Sequence, residues 1–304
     1  MTDTRCVREK ERERGTRALC PHNHEMTTMT DVFNGKIAVV TGGTSGIGYA
    51  VSDELLKRGA TVWVIGSRKE SVEKAKVSLA AYKNARYMAV DVTSADDVKR
   101  MIDTSVAESG RIDYLFNNAG IGMTAPSRDL TLDMWKKAVD LNLWGVIYGT
   151  HFALPVMLKQ GSGHIVNTSS IAGIIAPPAQ TVYCATKYAV TGMTEALRYE
   201  FAEKGIAFTS VCPANVATAI FAGVEIPKEA IPADEAARII LAGVEKNEAV
   251  IIFPEYAKKV YEILSKDPAL KDRFMLELAR RRNAGWERGV PYLGMPDDIL
   301  DLST

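Results

Sequence analysis

Residues 37–48 read IAVVTGGTSGIG, a β-branched apolar run (Ile37 to Thr41) that passes directly into a glycine-rich turn and a helix start. The continuous apolar run suits a strand covered on both faces. Gly42 permits the tight turn, Gly46 lets the backbone approach a pyrophosphate, and Gly48 allows close packing of helix on strand. A diphosphate would then lie against the unpaired N–H groups of the helix N-terminus. Taken alone, such a turn is also an ordinary strand–helix connection. A nucleotide triphosphatase would require Gly-Lys-Ser/Thr here, and none is present.

Outward from this turn, short β-branched runs alternate with helical patterns. The runs are 37–41, 61–65, 86–90, 114–118, 164–169, 207–212 and 249–253; the helical segments are about 47–58, 68–82, 95–109, 133–158, 180–204, 233–246 and 255–265. This alternation predicts an α/β fold, a Rossmann-type doubly wound parallel seven-stranded sheet with helices on both faces. Its cofactor crevice would open at the carboxyl ends of the strands. Residues 1–33 lack apolar periodicity and are expected to be a disordered N-terminal extension, with Met26 and Met29 as alternative starts. Residues 34–260 are expected to form the dinucleotide-binding and catalytic domain, and 261–304 a C-terminal helical extension.

The chain has 304 residues, 47% hydrophobic and 24% charged, with 37 basic and 37 acidic side chains. No global field draws it to nucleic acid or to an anionic membrane. Four irregularly spaced cysteines (Cys6, Cys20, Cys184, Cys212) suggest a reducing compartment rather than a disulfide framework. The polar N-terminus does not resemble a secretory signal. The uncharged stretch Leu141 to Leu158 is about long enough to span a bilayer. It also carries Asn142, His151, two glycines and Pro155, and reads better as a buried helix. A soluble, cytoplasmic protein without a membrane span is expected. Cys20, His22 and His24 lack a fourth ligand, and no metal site is expected.

The chemistry-bearing residues come later. Tyr183 and Lys187 in YCATK are four apart on a predicted helix, hence on one face. A nearby ammonium favours the phenolate over the phenol, whose ordinary pKa is about 10. Ser170, in IVNTSSIAG, lies at a predicted strand end where its hydroxyl can orient a substrate oxygen. Asn142 lies in an otherwise apolar helix, where an unpaired amide is costly and calls for a polar partner. Each residue also has an ordinary structural use: helical Tyr–Lys pairs are common, and serine often terminates strands.

In this order and spacing the motifs resemble the short-chain dehydrogenase/reductase family, ordinary non-extended branch, from about Asn34 to Pro254. The resemblance implies a tetrad of Asn142, Ser170, Tyr183 and Lys187 that moves a hydride and a proton to or from one carbon–oxygen bond, with Asn142 holding a water that links Lys187 to solvent. It implies cofactor contacts at Gly42, Thr44, Ser45, Gly46, Ile47 and Gly48 for the diphosphate, and at Asp91 and Val92 for adenine. Asn118, Ala119 and Gly120 would leave room for the nicotinamide ribose beside Tyr183 and Lys187. Pro213, Val216 and Thr218 would meet the carboxamide. The four-residue Tyr–Lys step argues against alkene reduction, because enoyl reductases of this fold use a longer interval. Pro213-Ala214-Asn215 departs from the usual Pro-Gly, and Asn215 is expected to compensate by tolerating the left-handed backbone region. Cys184, where serine is common, reads as a packing choice.

In the family it resembles, an acid at the end of the second strand selects NAD; there this chain has Ser67 followed by Arg68 and Lys69. Cations at a helix N-terminus oppose the macrodipole unless an anion is bound, so NADP is favoured over NAD. The bland alternative is that both cations solvate a helix start. Three segments should wall the substrate pocket: Ile121–Leu130, Ile174–Gln180 and Ala219–Pro232. Met123, Ile174, Ile175, Ile220, Phe221, Val224 and Ile226 make them largely apolar, which suits a hydrophobic carbonyl or alcohol as the small-molecule partner. The rivals are an NAD-linked secondary-alcohol dehydrogenase and a non-catalytic nucleotide-binding regulator. Apolar residues on several faces of 133–158 and 180–204 predict a homotetramer or homodimer. Asp267 to Leu278 reads as a capped helix start, with Arg280-Arg281-Arg282 closing the helix.

Overall fold

The computed structural model describes residues 31–218, 226–289 and 294. In chain order the strands are β1 Ile37–Val40, β2 Thr61–Gly66, β3 Ala85–Ala89, β4 Tyr114–Asn117, β5 Gly163–Thr168, β6 Ile206–Pro213, β7 Val216–Ala217, β8 Ile231–Pro232 and β9 Val250–Phe253. The α-helices are α1 Gly46–Lys57, α2 Lys69–Ser78, α3 Ala95–Ser109, α4 Leu132–Val139, α5 Gly145–Gln160, α6 Thr181–Glu200, α7 Ala233–Glu245, α8 Glu255–Lys266 and α9 Pro268–Glu287.

Seven strands form one parallel sheet in the order β3-β2-β1-β4-β5-β6-β9. The order reverses between β1 and β4, which opens a crevice beyond the carboxyl end of β1. Strand residues alternate between the sheet's two faces. Ala38, Val40, Val62 and Val64 enter the layer capped by α1, α2 and α7. Val39, Trp63 and Ile65 enter the opposite layer, against α3 and α5. Both faces are covered, which is why these strands read as unbroken apolar runs. β7 and β8 form a separate two-stranded parallel pair that sequence periodicity did not signal.

The predicted helix 133–158 is broken. A π turn, Asp140–Trp144, separates α4 from α5. The wider turn leaves Asn142 fully buried, its Oδ1 accepting from Ile121 N at 2.8 Å and its Nδ2 donating to Ile121 O at 2.9 Å. A local change of pitch of this kind is common at functional sites. Leu132–Gln160 taken together is long and apolar enough to cross a membrane, with a mean hydropathy of 1.3. Here Val146, Ala153 and Met157 of that stretch are buried in the fold. The predicted 180–204 helix ends at Glu200 and is followed by a 3-10 turn at Ala202–Lys204. Asp267 caps α9 as expected, accepting from Leu270 N, but Arg280-Arg281-Arg282 does not close the helix, which runs to Glu287. Burial of Arg282 against a neighbouring loop, rather than the dipole, accounts for that arginine.

α5 packs tightly on the sheet at Gly149, where an added Cβ would collide with Asn117 Oδ1. Asn117 Nδ2 is committed there to Asn167 Oδ1 at 2.9 Å, joining β4 to β5. Gly149→Ala is expected to destabilise the protein by about 1–3 kcal/mol through overpacking. Urea unfolding checks this; an unchanged midpoint would show that the helix–sheet spacing is not constrained at Gly149.

Candidate active site

The turn after β1 is built for close approach. Gly42 and Gly46 adopt φ of 65° and 54°, in the left-handed region. A Cβ at Gly42 would sit 3.0 Å from Ala119 Cα, and one at Gly48 would strike Asn118 Nδ2 and Gly42 O. Thr41 ties the ends of β1 and β4 together: its Oγ1 donates to Phe116 O at 3.2 Å and accepts from Asn118 N and Ala119 N at 2.9 and 3.1 Å. Sequence reasoning passed over Thr41; its place directly after β1 was the signal. Ser45, the N-cap of α1, makes no side-chain capping bond. The first N–H groups of α1 are thus not taken up by their own cap.

A cavity of about 650 Å³ runs from this turn to the end of β2 and β3. Gly42, Thr44, Ser45, Ser67, Arg68, Asp91 and Val92 line it, with Ala119 and Gly120. Gly66 is held close to Thr44: a Cβ there would meet Thr44 Oγ1 at 2.9 Å. Asp91 Oδ1 accepts from Thr93 N and Oγ1 at 2.9 and 2.8 Å, which fixes the carboxylate at the end of β3. Ser71, Thr93, and Asp133, Lys136 and Lys137 of α4 also line this cavity and were not anticipated. Their distance in sequence from the glycine turn gave no signal.

A second cavity, about 450 Å³, adjoins it through Gly42, Ser45, Ala119, Gly120 and Ile121. Gly46, Ile47 and Asn118 line it on one side, Ser170, Tyr183 and Lys187 on another, and Pro213, Val216 and Thr218 on a third. A Cβ at Gly46 would meet Thr218 Cγ2 at 3.3 Å, so the segment after β6 closes against the glycine turn. Of the anticipated site residues, only Gly48 and Asn142 stand behind the cavity walls. Cys20, His22 and His24, and the wall residues Ile220, Phe221 and Val224, lie outside the described residues. Asn215 is not in the left-handed region; among the described non-glycine residues only Ala179 and Asn247 have positive φ. Its side chain instead donates to the Tyr256 hydroxyl of α8 at 3.1 Å, so hydrogen bonding rather than backbone tolerance explains the asparagine.

Ser170 is the N-cap of a 3-10 turn at Ile171–Gly173, its Oγ accepting from Ala172 N at 3.1 Å and donating to Pro213 O at 3.4 Å. Ser169 Oγ donates to Lys187 O at 2.9 Å, clamping β5 to the middle of α6. Lys187 is buried, and its Nζ donates to Thr168 O at 2.8 Å and lies 5.6 Å from the Tyr183 ring centroid. Burial brings the Lys187 pKa down to about 8. Burial also raises that of the Tyr183 phenol, against an opposing hydrogen bond from Ser170. Asn142 Oδ1 and Lys187 Nζ flank Gly120, at 3.0 and 3.7 Å from where its Cβ would stand.

A glycine turn admitting an extended anion, a helix start not capped by its own side chain, and a cavity leading to a Ser–Tyr–Lys cluster suit a nicotinamide dinucleotide. The fold and cavity thus define a dinucleotide-dependent oxidoreductase. Residues 36–228 match the family described as short chain dehydrogenase. An uncharacterised oxidoreductase of Staphylococcus aureus (strain MW2) is 38% identical over 197 residues, covering 65% of this chain and 83% of that protein. The 3beta-hydroxysteroid dehydrogenase 2 of Eggerthella lenta is 35% identical over 201 residues, covering 65% and 77%. The crystal structure of levodione reductase superposes with a TM-score of 0.66 at 27% identity, covering 73% of this chain and 96% of that one. The chain belongs to the short-chain dehydrogenase/reductase family and is an NAD(P)-dependent oxidoreductase.

The depressed Lys187 pKa has a thermodynamic consequence. From about pH 8 to the unfolded value near 10.5, the unfolded chain holds the proton that the folded protein has lost, so stability from this group rises with pH across that window. Wild type is therefore expected to gain stability relative to Lys187→Met between pH 8 and 10 in denaturant titrations. A pH-independent difference would show that the amine is not desolvated.

Proposed function

We propose that the protein is an NADP-dependent reductase of a hydrophobic ketone or aldehyde, reversible in principle, acting through Asn142, Ser170, Tyr183 and Lys187. The observation that carries the reading is the placement of the buried Lys187 amine beside the Tyr183 ring, in a cavity that Ser170 also lines. The bound dinucleotide would supply the hydride to the carbonyl carbon. Tyr183 gives its phenolic proton to the carbonyl oxygen as charge develops there. Ser170 Oγ orients that oxygen, and the Lys187 ammonium stabilises the phenolate left behind. Asn142 holds a water through which Lys187 exchanges protons with solvent, a role supported by the convergence of both side chains on Gly120.

The choice of NADP rests on charge. Arg68 is the N-cap of α2 and Lys69 its first residue, and among the described residues no carboxylate pairs with Arg68. A 2′-phosphate between Ser67 and the guanidinium satisfies both the fork geometry and the helix end. Gly42, Thr44, Ser45, Gly46, Ile47 and Gly48 would hold the diphosphate, Asp91 and Val92 the adenine, and Asn118, Ala119 and Gly120 the nicotinamide ribose. Pro213, Val216 and Thr218 would hold the carboxamide. An apolar substrate is supported by the relative named as a hydroxysteroid dehydrogenase; Ile174 and Ile175 of the expected wall instead pack with α8 and α9 and line neither cavity. The partly exposed Trp144, Leu158, Tyr188 and Tyr199 of the π turn, α5 and α6 support a homotetramer or homodimer. Free, buried Cys184 and Cys212 are in keeping with a reducing, cytoplasmic setting.

Tyr183→Phe keeps the ring and removes the transferable proton. Turnover of a carbonyl panel, followed at the nicotinamide absorbance, should fall about 10²-fold or more with cofactor binding retained. Near-normal turnover removes Tyr183 from the mechanism. Ser67→Asp with Arg68→Ala should shift preference toward NAD by an order of 10². A wild-type protein that already prefers NAD in cofactor titrations contradicts the charge argument.

A further inference from the structure

α8 and α9 lie beyond the family match at 36–228, yet they pack onto the site. Ala257, Val260 and Leu264 of α8, and Phe274 and Leu278 of α9, share one buried apolar cluster with Ile171 and Ile175 from the loop after Ser170. A charge is buried at the same contact. Arg282, 5% exposed, donates from Nη1 to Pro178 O at 2.6 Å. A helix that needed only to pack would place an apolar side chain there, because a buried guanidinium must recover its lost hydration through hydrogen bonds.

The carbonyl that Arg282 holds belongs to the segment joining Ser170 to Tyr183. The other flank of that segment is held as well. Ala179, at φ 60°, accepts from Ala125 N at 2.8 Å, and Gln180 Nε2 donates to Thr124 Oγ1 at 3.0 Å. From α6, Cys184 Sγ reaches Pro177 O at 3.7 Å. An alanine in the left-handed region persists only where its surroundings over-determine it. The segment is thus fixed between α9 on one side and residues 124–125 on the other.

We infer that Arg282 is a positioning residue for the substrate side of the site. By holding Pro178 O, α9 sets where residues 174–180 stand against residues 121–130, and so the size of the carbonyl compound that reaches Tyr183. The inference rests on the proposed roles of Tyr183 and Ser170 and deepens them.

Hydrogen exchange on the intact chain tests it directly, comparing wild type with Arg282→Gln, Arg282→Lys and Arg280→Gln, an exposed arginine of the same helix. Amides of 174–181 should exchange about ten-fold faster in Arg282→Gln and by a smaller factor in Arg282→Lys. β1 and α1 should keep their protection, and Arg280→Gln should match wild type. Unchanged exchange at 174–181, or protection lost evenly through the fold, overturns the inference. If Arg282→Gln does not fold, Arg282→Lys is read by the same two criteria. In NADPH-linked assays, Arg282→Gln should raise KM for a ketosteroid about ten-fold relative to cyclohexanone, with NADPH affinity unchanged. Equal changes for both ketones count against it. A fully active Tyr183→Phe would sink the proton-transfer reading while leaving the exchange result standing. An inactive Tyr183→Phe with unaltered exchange in Arg282→Gln sinks only the role of Arg282.

Discussion

A lysine ammonium withdrawn from water beside a phenol is the constraint on which the rest of this site depends. Desolvation disfavours a charge on either group, so Lys187 is drawn down to about 8 and Tyr183 upward. The amine recovers part of its lost hydration from Thr168 O, which requires the carboxyl end of β5 to meet the inner face of α6. Ser169 secures that meeting through Lys187 O and through Thr191 Oγ1 at 2.8 Å. Gly173 has no room for a side chain, since a Cβ there would strike Ser169 Oγ. The resting phenol keeps its proton, which is the form that can give one to a carbonyl oxygen.

The sheet supplies the second requirement, a place for a long cofactor. Strand order reverses between β1 and β4, so their ends part and leave a crevice that Thr41 bridges by hydrogen bonds. On one side of this point lie Ser67, Arg68 and Asp91, at the ends of β2 and β3; on the other lie Ser170 and Pro213, at the ends of β5 and β6. A dinucleotide is long enough to need both sides, and in the proposed reading its phosphates would fall at the α1 terminus between them. α8 and α9 reach the segment after Ser170 through Ile171 and Ile175, and α8 reaches the segment after β6 through the Tyr256 hydroxyl and Asn215.

Much of this was legible in the sequence because it follows from local rules. The strands announced themselves as β-branched runs, and α3 and the Asp267 cap fall where periodicity and capping chemistry put them. The glycine turn, Ser67–Arg68 and the Ser170–Tyr183–Lys187 spacing are equally local, and the fold gathers them around two adjoining cavities. What escaped the sequence depends on contacts between distant segments. The π turn at Asp140–Trp144 accompanies the pairing of Asn142 with the Ile121 backbone, twenty-one residues away. Arg282 looked like a helix-terminal cation until Pro178, 104 residues earlier, was found against it. Asn215 looked like a substitute for glycine, whereas its partner is a tyrosine on a helix outside the resemblance.

The central claim is that Tyr183 and Lys187 act as one proton-transfer unit, and the pH dependence of kcat/KM for NADPH-linked reduction of the best carbonyl in a panel tests it most directly. The account predicts a plateau at neutral pH and a fall as pH rises through about 8, where the buried Lys187 loses the proton that stabilises the developing phenolate. A reduction rate that stays level to pH 10 would contradict it.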